Sequence, residues 1–130
     1  GFFVVQDEAA QLVAQLLAPF TGARYLDACA GLGGKALHLA QLLPESGRVV
    51  AVDPSQKRQA LLKANLQRLG GPEMEIHSTT LQEFAGQRQG VFAGVLVDAP
   101  CSGLGVVRRQ PDIRWQRSLA ALEGYQARQR

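Results

Sequence analysis

The 130 residues suffice for one compact domain that buries roughly two thirds of the surface its unfolded chain exposes. Hydrophobic residues make up 46% and charged residues 19% of the chain, which excludes a disordered polypeptide, and no apolar run approaches the ~18 residues of a membrane span. The net charge of +3 is unevenly placed: residues 1–87 carry seven Lys/Arg against eight Asp/Glu, whereas residues 88–130 carry seven Arg against Asp98, Asp112 and Glu123.

Asp7 can cap a first helix, in which Ala9, Leu12, Val13, Leu16 and Leu17 recur at three- and four-residue spacing; Pro19 ends it. Residues 24–28 read as a short buried strand running into the glycine cluster Gly31-Leu32-Gly33-Gly34. A second helix runs from about Lys35 to Leu43 and stops at Pro44 and Gly47. Residues 48–53 form a β-branched run of nearly continuous apolar character, as a strand covered on both faces requires. Asp53 and Pro54 then supply an N-cap and a first helical residue. The helix that follows places Leu61, Leu62, Asn65, Leu66 and Leu69 on one stripe and closes at Gly70-Gly71. Residues 74–77 are a weaker strand and 91–97 a stronger one. A last helix begins near Trp115 or Ser118 and continues to the end.

Alternating strands and helices imply a parallel sheet covered on both sides, with ligands beyond the carboxyl ends of the strands. Three special clusters fall at such ends: Asp27 to Lys35, Asp53, and Asp98 to Cys101. The segment from Gly31 to Ala36 fits G-x-G-x-x-A, and Asp53 follows Gly31 closely enough to accept hydrogen bonds from a ribose diol. NAD and S-adenosylmethionine both carry such a ribose, so the loop alone does not choose between them, and a glycine turn kept for packing explains it as well. A phosphate-binding loop is excluded, because Cys29 stands at its first glycine and Ala36 at its magnesium-binding hydroxyl. Asp98-Ala99-Pro100-Cys101-Ser102-Gly103 joins a carboxylate, a rigid proline and a thiol after the fourth strand, where the substrate of a methyl donor lies. A plain dehydrogenase has no use for that group. A lone Cys is more often a small buried hydrophobe, but this turn favours a chemical role for Cys101.

The chain resembles the Sun/Fmu-type RNA cytosine-C5 methyltransferases, the family that includes the nucleolar NOL/NOP proteins. The likeness runs through Gln6-Asp7-Glu8-Ala9-Ala10, Asp27-Ala28-Cys29-Ala30, Gly33-Gly34-Lys35, Asp53 with Arg58, and Asp98 to Gly103. It continues into Gly105-Val106, Arg108-Arg109, Pro111-Asp112-Ile113 and Trp115. It implies an α/β, Rossmann-like S-adenosylmethionine-dependent methyltransferase fold, here cut after the fourth strand, so that residues 1–130 are the N-terminal portion of one such domain without its flanking domains. Cys29, Ala30, Gly31, Leu32, Gly33, Gly34 and Lys35 would cradle the cofactor. Asp53 would take its ribose hydroxyls, Arg58 would support that site, and Asp98 would lie between cofactor and target base. Two departures stand out. The family has Ala-Pro where Gly31-Leu32 stands, which predicts a looser loop. It has an Asp near the adenine where Ser78-Thr79-Thr80 stands, and hydroxyls replace the hydrogen bond but not the charge.

Cytosine C5 becomes nucleophilic when a thiolate adds to C6; the methyl then transfers, the C5 proton leaves and the thiol is eliminated. An acid at the N3 edge of the base, the role the resemblance gives Asp98, stabilises charge on the ring. The resemblance places the attacking Cys in a later motif and gives Cys101 the breakdown of the covalent adduct. The isolated chain is therefore expected to bind cofactor without methylating RNA.

The expected partner is RNA, ribosomal RNA foremost, with Arg108 and Arg109 on its backbone and Trp115 available for stacking; a solvated Arg-rich helix and a core Trp are the plainer alternatives. His38 and His77 read as structural, and no His/Cys spacing suggests a metal site. Two free cysteines suit a reducing cytoplasm, and the protein is expected to act there as a monomer, away from membranes. Competing readings are an amino-group methyltransferase, a non-catalytic RNA-binding domain of the same fold, and an NAD-binding domain. Cys101 replaces the aromatic ring that the first of these needs for stacking.

Overall fold

Strand residues that alternate between two apolar faces are what make the central sheet. In the computed structural model, which describes residues 3–17, 22–87 and 90–129, four parallel strands lie in the order β3-β2-β1-β4. These are β1 (Arg24–Asp27), β2 (Arg48–Val52), β3 (Met74–His77) and β4 (Gly94–Leu96). Tyr25, Val49 and Ala51 point to one face, where they meet Ala14 of α1 (Glu8–Leu16), Ala36, Leu39 and Ala40 of α2 (Gly34–Leu42), and Leu62 of α3 (Gln56–Leu69). Leu26, Val50 and Val52 point to the other, against Phe84 of α4 (Leu81–Gln87). β2 is the central strand in burial as well as in order, with four of its five residues sealed from solvent. The predicted parallel sheet with both faces covered is the sheet observed.

The chain divides into two compact units between Asp98 and Ala99. The sheet and its helices make up the first. The second holds a 3₁₀ turn (Leu104–Val106), α5 (Ile113–Gln116) and α6 (Leu119–Gln129). Inside it Ile113 is buried, Arg117 Nε donates to the Ser102 carbonyl at 2.7 Å, and Gln129 Nε2 donates to the Pro100 carbonyl at 2.8 Å. The last helix starts at the second of the two expected places, beside Ser118, while the segment around Trp115 is a separate turn, parted from it at Arg117, whose backbone is extended. No helix among the described residues is long and apolar enough to cross a membrane.

Other expectations need correction. Asp7 does cap α1, accepting the Ala9 N–H at 3.1 Å, but Leu12 and Leu16 face solvent and Ala14 takes the core position; Pro19, the expected end, lies outside the described residues. Asp53 does not cap α3. Ser55 does, through its hydroxyl, while the Asp53 carboxylate is turned toward the glycine loop. Leu61 leaves the expected stripe and is exposed. β4 keeps three of its seven expected residues, those that pair with Tyr25 to Asp27 of β1.

Candidate functional site

Sheet order decides where a site can form. From β1 the chain steps outward to β2 and β3, then returns to the other side of β1 as β4, so the order reverses between β1 and β4. Loops leaving adjacent strands on either side of that point diverge and open a crevice. The glycine loop leaves β1 there. It is tied down by three hydrogen bonds: Ala30 N–H to the Val52 carbonyl at 2.9 Å, Gly31 N–H to Asp53 Oδ2 at 3.0 Å, and Gly33 N–H to the Ala30 carbonyl at 2.8 Å. Gly31 and Gly33 sit at φ +56° and +89°, in the left-handed region that L-residues with a Cβ avoid. A Cβ on Gly33 would also stand 2.7 Å from Leu62 Cγ, so α2 can start this close to α3 only from a glycine.

Asp53 is 3% exposed and links three segments. Besides Gly31, it accepts the Ser55 N–H at 2.8 Å and faces the Arg58 guanidinium at 3.4 Å. Gln59, one turn into α3 and 2% exposed, donates through Nε2 to the carbonyls of Asp53 and His77, both at 3.3 Å. That amide joins the carboxyl ends of β2 and β3. It is missing from the sequence expectations, although a signal existed: Gln59 stands three residues before Leu62, a polar residue on the buried stripe of α3.

Across the switch point Lys35, at the start of α2, pairs with Asp98, just past β4, at 2.6 Å. Asp27 lies beneath, 1% exposed, and accepts the Cys29 N–H at 3.3 Å. A cavity of about 360 Å³ opens over these groups, lined among others by Gln6, Asp27, Cys29, Gly31, Leu32, Gly34, Lys35 and Asp98. Burial, reinforced by Asp98 and Asp53, pushes the Asp27 carboxyl up to about 6, against the opposing pull of the Cys29 N–H and Lys35. The same burial, with Asp27, Asp53 and Asp98 close by, pushes the Cys29 thiol above its ordinary range, so Cys29 stays protonated at neutral pH. Asp27, Asp53 and Asp98 lie near Lys35 and Arg58, so carboxyl groups outnumber cations by one in this crevice.

The structure thus brings together Cys29, Ala30, Gly31, Leu32, Gly33, Gly34, Lys35, Asp53, Arg58 and Asp98, all in the first unit. Cys101, Arg108 and Arg109 belong to the second unit, and all three are exposed there. Thr79 and Thr80 have a local partner instead: both hydroxyls donate to Glu83 Oε2, at 2.7 and 2.8 Å, and Glu83 N–H returns to the Thr80 hydroxyl at 3.2 Å. This reciprocal capping box starts α4 and holds Glu83 below the usual carboxylate range. His77 pairs with Glu75 at 2.8 Å. Among the described residues no group of three or more His, Cys, Asp or Glu is placed to hold a metal ion.

Comparison with known proteins agrees with this geometry. Ribosomal RNA small subunit methyltransferase B of Pseudomonas syringae pv. tomato is 47% identical over 120 residues, covering 92% of this chain and 27% of that protein. Its counterpart from Serratia proteamaculans is 41% identical over 131 residues, covering 95% of this chain and 30% of that protein. This chain therefore spans less than a third of the length of these relatives. Among solved structures, NSun6 from Pyrococcus horikoshii, determined with SFG, superposes with a TM-score of 0.85 at 30% identity, over 96% of this chain and 32% of that one. Residues 14–130, the glycine loop, Asp53 and the Asp98–Cys101 turn included, match the family described as 16S rRNA methyltransferase RsmB/F, and the chain belongs to that family.

Proposed function

We propose that this chain is the cofactor-binding part of a methyltransferase that uses S-adenosylmethionine to methylate C5 of cytosine in RNA, ribosomal RNA foremost, as a monomer in the cytoplasm. Membership of an S-adenosylmethionine-dependent rRNA methyltransferase family supports the reaction class. The observation that carries the reading is the crevice at the switch point, where the ends of β1, β2 and β4 are tied by Gly31 to Asp53 and by Lys35 to Asp98. The cofactor supplies an electrophilic methyl on a sulfonium. The residues present fit it: backbone without side chains at Gly31 and Gly33 allows close approach, and the Asp27, Asp53 and Asp98 carboxylates suit its positive charge.

In this reading Asp53 takes the ribose hydroxyls. A carboxylate offers about four acceptor positions; Gly31 and Arg58 use Oδ2 and Ser55 uses Oδ1, which leaves a position on Oδ1 for a ribose hydroxyl. Because Asp53 is nearly sealed, Gly31-Leu32 must shift for the ribose to reach it, a movement easier for Gly-Leu than for the family's Ala-Pro. Arg58 holds Oδ2, the oxygen that also accepts the Gly31 N–H. Lys35 holds Asp98 in place for the base through their 2.6 Å ion pair, and Asp98 stabilises charge on the cytosine ring during thiolate addition. Cys29, kept protonated in the loop, is not a nucleophile. Cys101 acts when the adduct breaks down, so the attacking thiol is neither of the two cysteines of this chain. Arg108 and Arg109 contact the RNA backbone.

Calorimetry with S-adenosylhomocysteine and NADH tests the reading. S-adenosylhomocysteine should bind and NADH should not; the reverse overturns it. Asp53→Ala should weaken binding by about 1–3 kcal/mol, the value of hydrogen bonds to a charged acceptor. Unchanged affinity would leave Asp53 as a tie within the loop and nothing more.

A further inference from the structure

We infer that Trp115, backed by Arg114, is a stacking platform for an unpaired base of the RNA that the enzyme modifies. The inference rests on the methyltransferase reading for its ligand class and on the second unit for its geometry. α5 is a single turn, anchored where Ile113 turns inward and is buried. Trp115 is two residues further on, about 200° around the helix, and so points the other way. It is 79% exposed, which is unusual for a side chain that is highly buried on average.

One face of the indole is already used. The Arg114 guanidinium carbon lies 5.1 Å from the ring centroid, a cation–π pair that fixes the ring and leaves the opposite face to solvent. Tyr125 is different, because it is half-buried and Arg117 and Arg128 both lie over its ring, at 5.8 and 4.7 Å. Trp115 is therefore the aromatic face this unit offers outward.

Its surroundings select the occupant. Residues 99–130 contain six Arg and no Lys, against Asp112 and Glu123 alone. A protein partner that covered an indole in an apolar contact would have to bury the Arg114 guanidinium beside it, whereas a polyanion neutralises it. Nucleic acid supplies both a π-face for the indole and phosphates for Arg108 and Arg114. A duplex cannot use the platform, since its base faces are already stacked and only its backbone and grooves are outward. The occupant is thus a base in a single-stranded or looped stretch.

This chain contains one tryptophan, so its emission reports on Trp115 alone. A short single-stranded oligoribonucleotide, titrated at low salt, should quench that emission in step with the binding seen by anisotropy of the labelled RNA. The matching duplex should bind without quenching. Trp115→Ala should weaken single-strand binding about tenfold, Trp115→Phe should recover part of the loss, and duplex affinity should stay unchanged in both. The urea midpoint of each variant should match the parent, because the side chain is exposed. Single-strand binding that leaves the emission unchanged, or equal affinity of Trp115→Ala, overturns the platform. An emission that changes on dilution without RNA overturns it too, by assigning the face to a second copy of the chain. Calorimetry with S-adenosylhomocysteine on the same samples keeps the two readings apart: loss of cofactor binding strikes the methyltransferase reading, and the quenching result stands or falls separately.

Discussion

Asp27 shows how much one buried carboxyl shapes this site. Its burial raises it from an ordinary 3.8 to about 6 in the folded chain, so the native state holds a proton that the unfolded chain has already released. Folding is then favoured while Asp27 is protonated, and that advantage is lost as pH rises between about 4 and 6. Asp27→Asn keeps an acceptor for the Cys29 N–H and removes the titration. Its urea midpoint should be flatter between pH 4 and 7, with a gain over the parent of up to about 3 kcal/mol at pH 7. A variant no more stable at pH 7 than at pH 4.5, relative to the parent, would show that the charge is not confined as the burial implies. At this scale the pairing of Asp53 with the glycine loop was legible from spacing, whereas Arg58 came from the resemblance alone. The burial of Asp27 followed from the buried strand expected over residues 24–28; its charged neighbours did not, because Asp53 and Asp98 come close to it only once β2 and β4 flank β1. Thr79 and Thr80 carry a second signal, missing from the sequence expectations: the pattern Thr80-x-x-Glu83 is itself a helix-start signal.

At the scale of elements, β2 came out of the sequence within a residue, since a strand buried on both faces has a composition that loops lack, and the weaker, half-buried β3 came out at its expected bounds. β4 did not, because its apolar run is longer than the partner strand available to it. The seven-residue α4, interrupted by Gly86, has too little periodicity to stand out. The junction of the glycine loop with α2 allows the sharpest test. Gly33→Ala combines a left-handed backbone with a Cβ driven against the fully buried Leu62, and should cost about 3 kcal/mol in urea unfolding. Gly34→Ala, whose Cβ would meet only Gln6 Nε2 at 3.6 Å, should be nearly neutral. Equal losses at both positions would mean that the loop is held by something other than this packing.

At the scale of the molecule, the sheet and its crevice belong to the first unit, whereas Cys101 and the arginine-rich helices belong to the second. On the proposed reading, in which the attacking thiol is neither cysteine, the chain alone should form no 5-methylcytosine when given RNA and labelled S-adenosylmethionine. Product formed by the parent chain and lost in Cys101→Ser would make Cys101 the nucleophile. The edge of β4 has a more practical consequence. Among the described residues it pairs only with β1, and Val95, Val97 and, on α1, Leu16 lie beside one cavity, 49%, 60% and 83% exposed. An unpaired strand edge flanked by bare valines is a template for any other strand. With a net charge of only +3 to keep copies apart, this edge is where self-association of the isolated chain should start as its concentration is raised.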